Sequence, residues 1–177
     1  NLISMQVFSK LTNSQACGGS APCIKVFDSA YIKGLERVLA LKNSFSIAAV
    51  NMSLGRSRFF NPLLCDNANL AAKAAIDNLR SVGIPTIVSS GNDGYPDSLS
   101  YPACISSAVS VGSTTLLDQI STFSNSAPFL NLLAPGSNIY SSVPGGTYAF
   151  KSGTSMAAPH VAGAWAVLKQ QRPSGDV

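Results

Sequence analysis

Strand-length apolar runs alternate along this chain with stretches of helical spacing, and few folds accept that order. Leu2–Phe8 reads as an opening core strand, Ile47–Leu54 as a second buried strand, and Pro85–Gly94 as a third that ends in a glycine-rich turn. Between the first two, Ile32, Leu35, Val38 and Leu39 recur at helical spacing over Ser29–Leu41, with Asp28 or Ser29 as the N-cap. After Leu54, the segment GRSRFFNPL reads as a surface loop. Asp66 then caps a predicted helix running to Val82, with Leu70, Ala74, Ile76 and Leu79 inward and Gly83 as its stop. Ala108–Ser113 and Leu130–Gly136 are further short strands, Gly145 and Gly146 centre a hairpin, and a helix is expected from Ser155 to about Lys169. Strands that are apolar throughout are covered on both faces. The order therefore predicts an α/β fold, a parallel sheet with helices on both faces.

With 177 residues, 46% of them hydrophobic, the chain can bury the core of one domain, and its sequence contains no repeat or linker. The net charge of +4 comes from scattered lysines and arginines; the only close basic pair, Arg56 and Arg58, sits beside Phe59 and Phe60. Nucleic-acid binding would want a stripe of charge, and no apolar run approaches the roughly 20 residues that span a bilayer, so neither partner is expected. The chain opens at Asn1 in the predicted core strand and closes on QRPSGDV. Residues 1–177 are accordingly expected to be a partial domain, incomplete at its N-terminal side. Cys17, Cys23, Cys65 and Cys104 have no metal-site spacing. An even count in a chain with 11% charged residues fits disulfides and an oxidising, extracellular setting.

In parallel sheets of this kind, ligands bind outside the carboxyl ends of the strands. Three polar, glycine-bearing turns fall at or near such ends: Ser53-Leu54-Gly55, Ser89-Ser90-Gly91-Asn92 and Gly153-Thr154-Ser155. Their convergence marks a site. Ser155 stands at a helix N-terminus, where a nucleophile can be activated or an anion stabilised. Small residues surround it: Gly153 allows close backbone approach, Ala157 and Ala158 keep the helix start slim, and Pro159 is expected in the first turn, where its missing N–H costs little. GTSMA is not the G-x-S-x-G elbow, because Ala157 replaces the second glycine, and no GK[ST] phosphate loop exists, which removes a nucleotide-binding reading. A serine nucleophile needs a base. The one histidine, His160, is five residues on along the same helix, about 140° round the axis and roughly 7.5 Å along it, facing away from the Ser155 hydroxyl.

GTSMAAPHVAG (Gly153–Gly163) closely resembles the serine motif of the subtilisin-like serine proteases. VNMSLG (Val50–Gly55) resembles that family's substrate-binding strand and SSGNDG (Ser89–Gly94) its oxyanion-hole turn; YPA (Tyr101–Ala103), VSVGS, STFSNS (Ser121–Ser126) and LLAPG (Leu132–Gly136) fall in the family's order. The resemblance implies that Ser155 attacks the scissile carbonyl, while the Asn92 side-chain amide and the Ser155 N–H receive the oxyanion. It implies that Ser53, Leu54 and Gly55 pair with an extended peptide, that Ser89, Ser90 and Gly91 wall the pocket for the residue before the cleaved bond, that Ser100 lies near its floor, and that Gly153 and Thr154 complete the substrate site. It implies a cis Tyr101–Pro102 bond. The four cysteines allow three pairings; Cys17–Cys23 would close a short glycine-containing loop, and the family's fold, which brings the region after Gly55 close to the turn after Tyr101-Pro102, implies Cys65–Cys104.

The resemblance also implies what is missing. The family's Asp-Ser/Thr-Gly and His-Gly-Thr motifs lie upstream of the opening strand, and neither occurs here. FDSA (Phe27–Ala30) has Ala30 in place of the glycine, so Asp28 reads as a cap. The base and its orienting acid are expected on an upstream segment of the same protein, with peptide or protein as substrate and this chain inactive alone. The alternative is a non-catalytic peptide-binding module that keeps the groove. No cofactor is expected in this chain. Calcium remains possible in the full-length protein, but the family's acidic positions before Ala-Pro-Gly are held here by Phe129 and Asn131, and a hard cation wants carboxylates.

Overall fold

A computed structural model describes residues 1–173. The chain divides into two compact units, Asn1–Ser46 and Ile47–Val177. In the first, β1 (Phe8–Leu11) and β2 (Cys23–Val26) pair antiparallel, from Phe8↔Val26 to Leu11↔Cys23. The loop between them is closed by the Cys17–Cys23 disulfide and by Asn13, whose Oδ1 accepts from the N–H of Gln15 at 2.8 Å. The predicted opening strand Leu2–Phe8 does not form: pairing begins only at Phe8, and Leu2 is fully exposed. Apolar content makes a segment fit for a strand, but only a neighbouring ladder makes it one. The helix α1 (Asp28–Leu41) buries Tyr31, Leu35 and Val38. Its N-cap is Phe27, not Asp28 or Ser29; Asp28 lies in the first turn, where a carboxylate still complements the helix dipole.

The second unit holds β3 (Val50–Met52), β4 (Arg56–Phe59), α2 (Pro62–Ala68), α3 (Leu70–Arg80), β5 (Thr86–Ser89), β6 (Leu99–Tyr101), β7 (Val109–Thr114), β8 (Leu132–Pro135), β9 (Ile139–Val143), β10 (Thr147–Lys151) and α4 (Thr154–Gln171). Four strands make one parallel sheet in the order β3-β5-β7-β8, as the apolar runs require. Ile87, Val111 and Ala134 on this sheet pack against Ala157 and Ala158 of α4, with Trp165 at the edge of the cluster. The pleat turns the neighbouring Val88, also fully buried, to the opposite face. α3 packs on β5 through a buried stripe of Ala72, Ala75, Ile76 and Leu79. The fold is α/β.

Several local expectations are corrected. The helix expected from Asp66 to Val82 is two helices. Asn61 caps α2 by accepting from the Leu63 N–H, and Asn69 caps α3 by accepting from the Ala72 N–H. An asparagine side chain competes with the backbone for N–H donors, which breaks the helix at Asn69. Asp66 caps nothing and instead accepts from the N–H and hydroxyl of Ser106 at 2.9 and 2.7 Å. The restart also rotates the buried stripe, so Leu70 and Ala74 are exposed. Within the predicted GRSRFFNPL loop, β4 pairs antiparallel with β6, Arg58 opposite Ser100. The Cys65–Cys104 disulfide ties α2 to the segment after the cis Tyr101–Pro102 bond. β9 and β10 form the expected hairpin around Gly145 and Gly146. Of the closing QRPSGDV, residues 174–177 lie outside the described residues.

Candidate active site

The site is assembled at the start of α4. Gly153 is the N-cap residue, and it contributes no side chain to the first turn. The first N–H groups of a helix have no intrahelical partner. Here the side chain of Asn92 takes one of them: its Oδ1 accepts from the Thr154 N–H at 2.8 Å and from the Thr154 hydroxyl at 2.9 Å. Because a backbone N–H can only donate, the atom facing it is the amide oxygen, and Nδ2 is turned the other way. The Thr154 hydroxyl also accepts from the Gly91 N–H at 3.2 Å, which locks the Asn92 turn onto the helix. The Asn92 amide and the Ser155 N–H both lie close to Gly153: a side chain added there would stand 3.6 Å from Nδ2 and from Oδ1 of Asn92 and 3.7 Å from the Ser155 nitrogen.

The other end of the first turn has its own device. Pro159 does not sit in the first turn but inside the helix, so the carbonyl of Ser155, four residues back, has no N–H to receive. The hydroxyl of Ser53, just past β3, donates to that carbonyl at 2.8 Å. The proline that removes a helix bond thus creates the acceptor that fastens the Ser53 segment to Ser155. With Ser53 Oγ so engaged, what residues 53–55 can offer an extended peptide is their backbone, which lies outside any ladder.

Beside Ser155 opens a cavity of about 380 Å³, lined by Leu54, Gly55, Ser89, Gly91, Asn92 and Ser100, with Arg56, Arg58, Asp93 and Tyr95 around them. Ser155, Asn92, Leu54, Gly55, Ser89, Gly91 and Ser100 are therefore brought together. Ser90 and Thr154 are not: both are fully buried behind the wall, Ser90 because the extended chain turns alternate side chains to opposite faces. Ser90 donates to the Asn125 carbonyl at 2.9 Å, while Thr154 holds Asn92. At Gly55, a side chain would meet Ser100 Cβ at 3.2 Å, so the missing group faces the pocket side.

Sequence reasoning passed over Asn125, inside the STFSNS segment. It is fully buried, and its Oδ1 accepts from the N–H groups of Asp93 and Tyr95 at 2.9 and 3.2 Å. Its N–H donates to the Gly91 carbonyl at 3.0 Å. One side chain thereby fixes the turn from Gly91 to Tyr95. The available signal was an amide residue in a serine-rich, apolar-flanked segment, which is a hydrogen-bond hub if buried and a turn if not. The rim was also missed. Arg58 donates to Asp97 at 2.8 Å and to the Ser98 hydroxyl at 2.8 Å, with its guanidinium 3.9 Å over the Tyr95 ring and 4.3 Å over Phe60. The Arg58 hydrogen bond holds the exposed Asp97 carboxyl below its ordinary range.

His160 is exposed on α4, with Nδ1 2.8 Å from the Met156 carbonyl. It lines a separate cavity of about 470 Å³ with Tyr140, Lys151, Met156 and Pro159, and Ser155 is not among that cavity's walls. The residues at the family's calcium position do not fit a cation. Phe129 offers no side-chain oxygen, and Asn131 Oδ1 is occupied by the N–H and hydroxyl of Ser110 at 2.9 and 2.8 Å. Among the described residues, no group of three His, Cys, Asp or Glu could hold a metal, and no helix is long and apolar enough to cross a membrane.

Known proteins resemble this chain in sequence and in fold. Subtilisin of Bacillus pumilus is 36% identical over 179 aligned residues, 93% of this chain and 60% of that protein. Subtilisin Savinase of Lederbergia lenta is 33% identical over 172, again covering 93% and 60%. The chain thus spans less than two thirds of the length of these relatives. The crystal structure of a cold adapted subtilisin-like serine proteinase superposes with a TM-score of 0.69 at 34% identity, covering 88% of this chain and 51% of that one. The prenylagaramide maturation protease PagA superposes at 0.71 with 25% identity, covering 89% and 55%. The profile of the subtilase family matches residues 25–177. That match takes in both the sheet and the start of α4, and the chain belongs to the subtilase family.

Proposed function

We propose that this chain supplies the nucleophile, the oxyanion donors and the peptide groove of a secreted serine endopeptidase. One observation carries the reading: Ser155, in the first turn of α4, and Asn92 line one cavity together with Leu54, Gly55, Ser89, Gly91 and Ser100. In the reaction, Ser155 Oγ attacks the scissile carbonyl carbon and its proton passes to a base. The carbonyl oxygen, now negative, accepts hydrogen bonds from Asn92 Nδ2 and the Ser155 N–H. Collapse of this intermediate re-forms the carbonyl and expels the amine, which takes the proton. Preorganised donors of this kind are worth about 10²–10³ in rate each, a magnitude taken from subtilisin itself. The peptide would run along Ser53–Gly55, pairing through backbone groups.

The base and its orienting acid belong, in this reading, to an upstream segment of the full-length protein, because His160 bonds the Met156 carbonyl and lines the other cavity. That same observation favours the second reading, a peptide-binding module without catalysis. A fluorophosphonate probe decides between them: the full-length protein is expected to be labelled at Ser155, and Ser155→Ala to abolish labelling. Labelling that survives the substitution would overturn the nucleophile assignment, and a full-length protein that never labels would favour the binding module.

A further inference from the structure

We propose that Ser100 and Asn125 make the pocket floor a hydrogen-bond donor that selects a neutral, acceptor-ended side chain, of the glutamine type, before the cleaved bond. The proposal rests on the groove reading above and adds the substrate class. The Asp93 and Tyr95 N–H groups can only donate, so the oxygen of the Asn125 amide faces them and Nδ2 faces Ser100, behind the pocket wall. Nδ2 donates to Ser100 Oγ at 3.2 Å and to Asp93 Oδ2 at 3.3 Å. The Ser100 hydroxyl is thus an acceptor toward Asn125, and its one proton must point elsewhere. Among the described residues no bond takes that proton, and Ser100, only 5% exposed, lines the cavity.

The walls leave this hydroxyl reachable. Gly55 and Gly91 both lack the side chain that would cover it: an added Cβ would stand 3.9 Å from Ser100 Oγ at Gly55 and 2.2 Å at Gly91. A side chain entering the pocket therefore ends against a donor. An apolar end would leave that donor unpaired and buried, which costs more than the bond itself is worth. A carboxylate end would accept the bond, but it would share its neighbourhood with Asp93, whose carboxylate accepts from the same Nδ2. Of the two cations around the cavity, Arg58 is already held by Asp97 and Arg56 lies over the Tyr101 ring, its guanidinium 5.5 Å from the ring centre. A neutral amide meets neither penalty.

The test uses the full-length protein and its Ser155→Ala variant with peptides differing only in the residue before the scissile bond: Gln, Met of similar length, or Glu. Fluorescence titration of Ser155→Ala reads binding without turnover; kcat/KM of the unsubstituted protein reads the reaction. Gln is expected to exceed Met and Glu by about five- to tenfold in both readouts. Adding Ser100→Ala, which removes the donor and leaves Asn125 in place, is expected to bring the Gln to Met ratio close to one. Equal treatment of Gln and Met, or a preference that survives Ser100→Ala, overturns the floor assignment even where Ser155 labels with the fluorophosphonate. A Gln preference in binding without any labelling supports the floor and overturns the nucleophile reading instead.

Discussion

The two sides of Ser155 are built differently. On one side, the pocket wall from Ser89 to Tyr101 is buried at its two ends, Ser89–Ser90 and Ser98–Tyr101, and is held by bonds from distant segments: Asn125 to Asp93, Tyr95 and Ser100, and Thr154 to Gly91 and Asn92. On the other, the β9–β10 hairpin is a local structure whose aromatic side chains Tyr140, Tyr148 and Phe150 are 61–67% exposed and stack mainly on one another. The wall owes its shape to what surrounds it; the hairpin owes its shape to its own turn. A substitution in the wall is therefore transmitted through several segments, and one in the hairpin stays local.

The largest test of that contrast compares glycines. At Gly91, φ is +113° and an added Cβ would lie 2.1 Å from Asn125 Nδ2, so Gly91→Ala combines backbone strain with a clash against a fully buried side chain. A loss of about 3–5 kcal/mol is expected, with collapse of peptide binding. At Gly145, φ is +92° but nothing lies within 4 Å, so Gly145→Ala should cost only about 1–2 kcal/mol. Equal shifts in denaturant midpoint for the two variants would remove the distinction. A middle-sized test removes single contacts. Thr154→Val keeps the shape but strands the Gly91 N–H and one Asn92 bond, for an expected 1–3 kcal/mol, or about that, in stability. Tyr140→Ala should cost about 0.5–1.5 kcal/mol beyond its lost area and leave peptide affinity unchanged.

The smallest effect is expected at the rim, where Arg58 pairs with Asp97 in solvent. The carboxyl is held below its ordinary 3.8 first by the Arg58 hydrogen bond. A depressed carboxyl stabilises the fold above its unfolded pKa and loses that contribution as pH falls through the folded value. The melting difference between the unsubstituted protein and Asp97→Asn should thus be small at pH 7, begin to shrink below about pH 4 and vanish as pH falls through the lower folded value. A difference that grows on acidification would reverse the assigned sign.

Much of this molecule was legible in advance, and the failures share one form. The apolar runs at Ile47–Leu54, Pro85–Gly94, Ala108–Ser113 and Leu130–Gly136 each contain a strand of the parallel sheet; the inner strands β5 and β7 are covered as continuous hydrophobicity requires, whereas the outer strand β8 leaves Leu132 and Leu133 exposed. Gly145-Gly146 gave the hairpin through turn chemistry confined to adjacent residues. Arg56–Phe59 was invisible as a strand, because its partner Leu99–Tyr101 is remote in sequence. Leu2–Phe8 erred the other way, since its composition suits a ladder that it does not join.

At the site, the residue types alone placed Ser155 at a helix start and Asn92 in a glycine turn, since both depend on neighbours within a few positions. Only the tertiary structure decided how they are used. It turned Asn92 Oδ1 onto Thr154, supplied Ser53 to the carbonyl that Pro159 leaves open, and buried Asn125 under the pocket. Backbone preference and periodicity are short-range and are written in the sequence directly. A hydrogen bond between residues 35 or 102 positions apart is decided by which segments the packed sheet brings together, and by the cost of leaving a buried polar group unpaired once they meet.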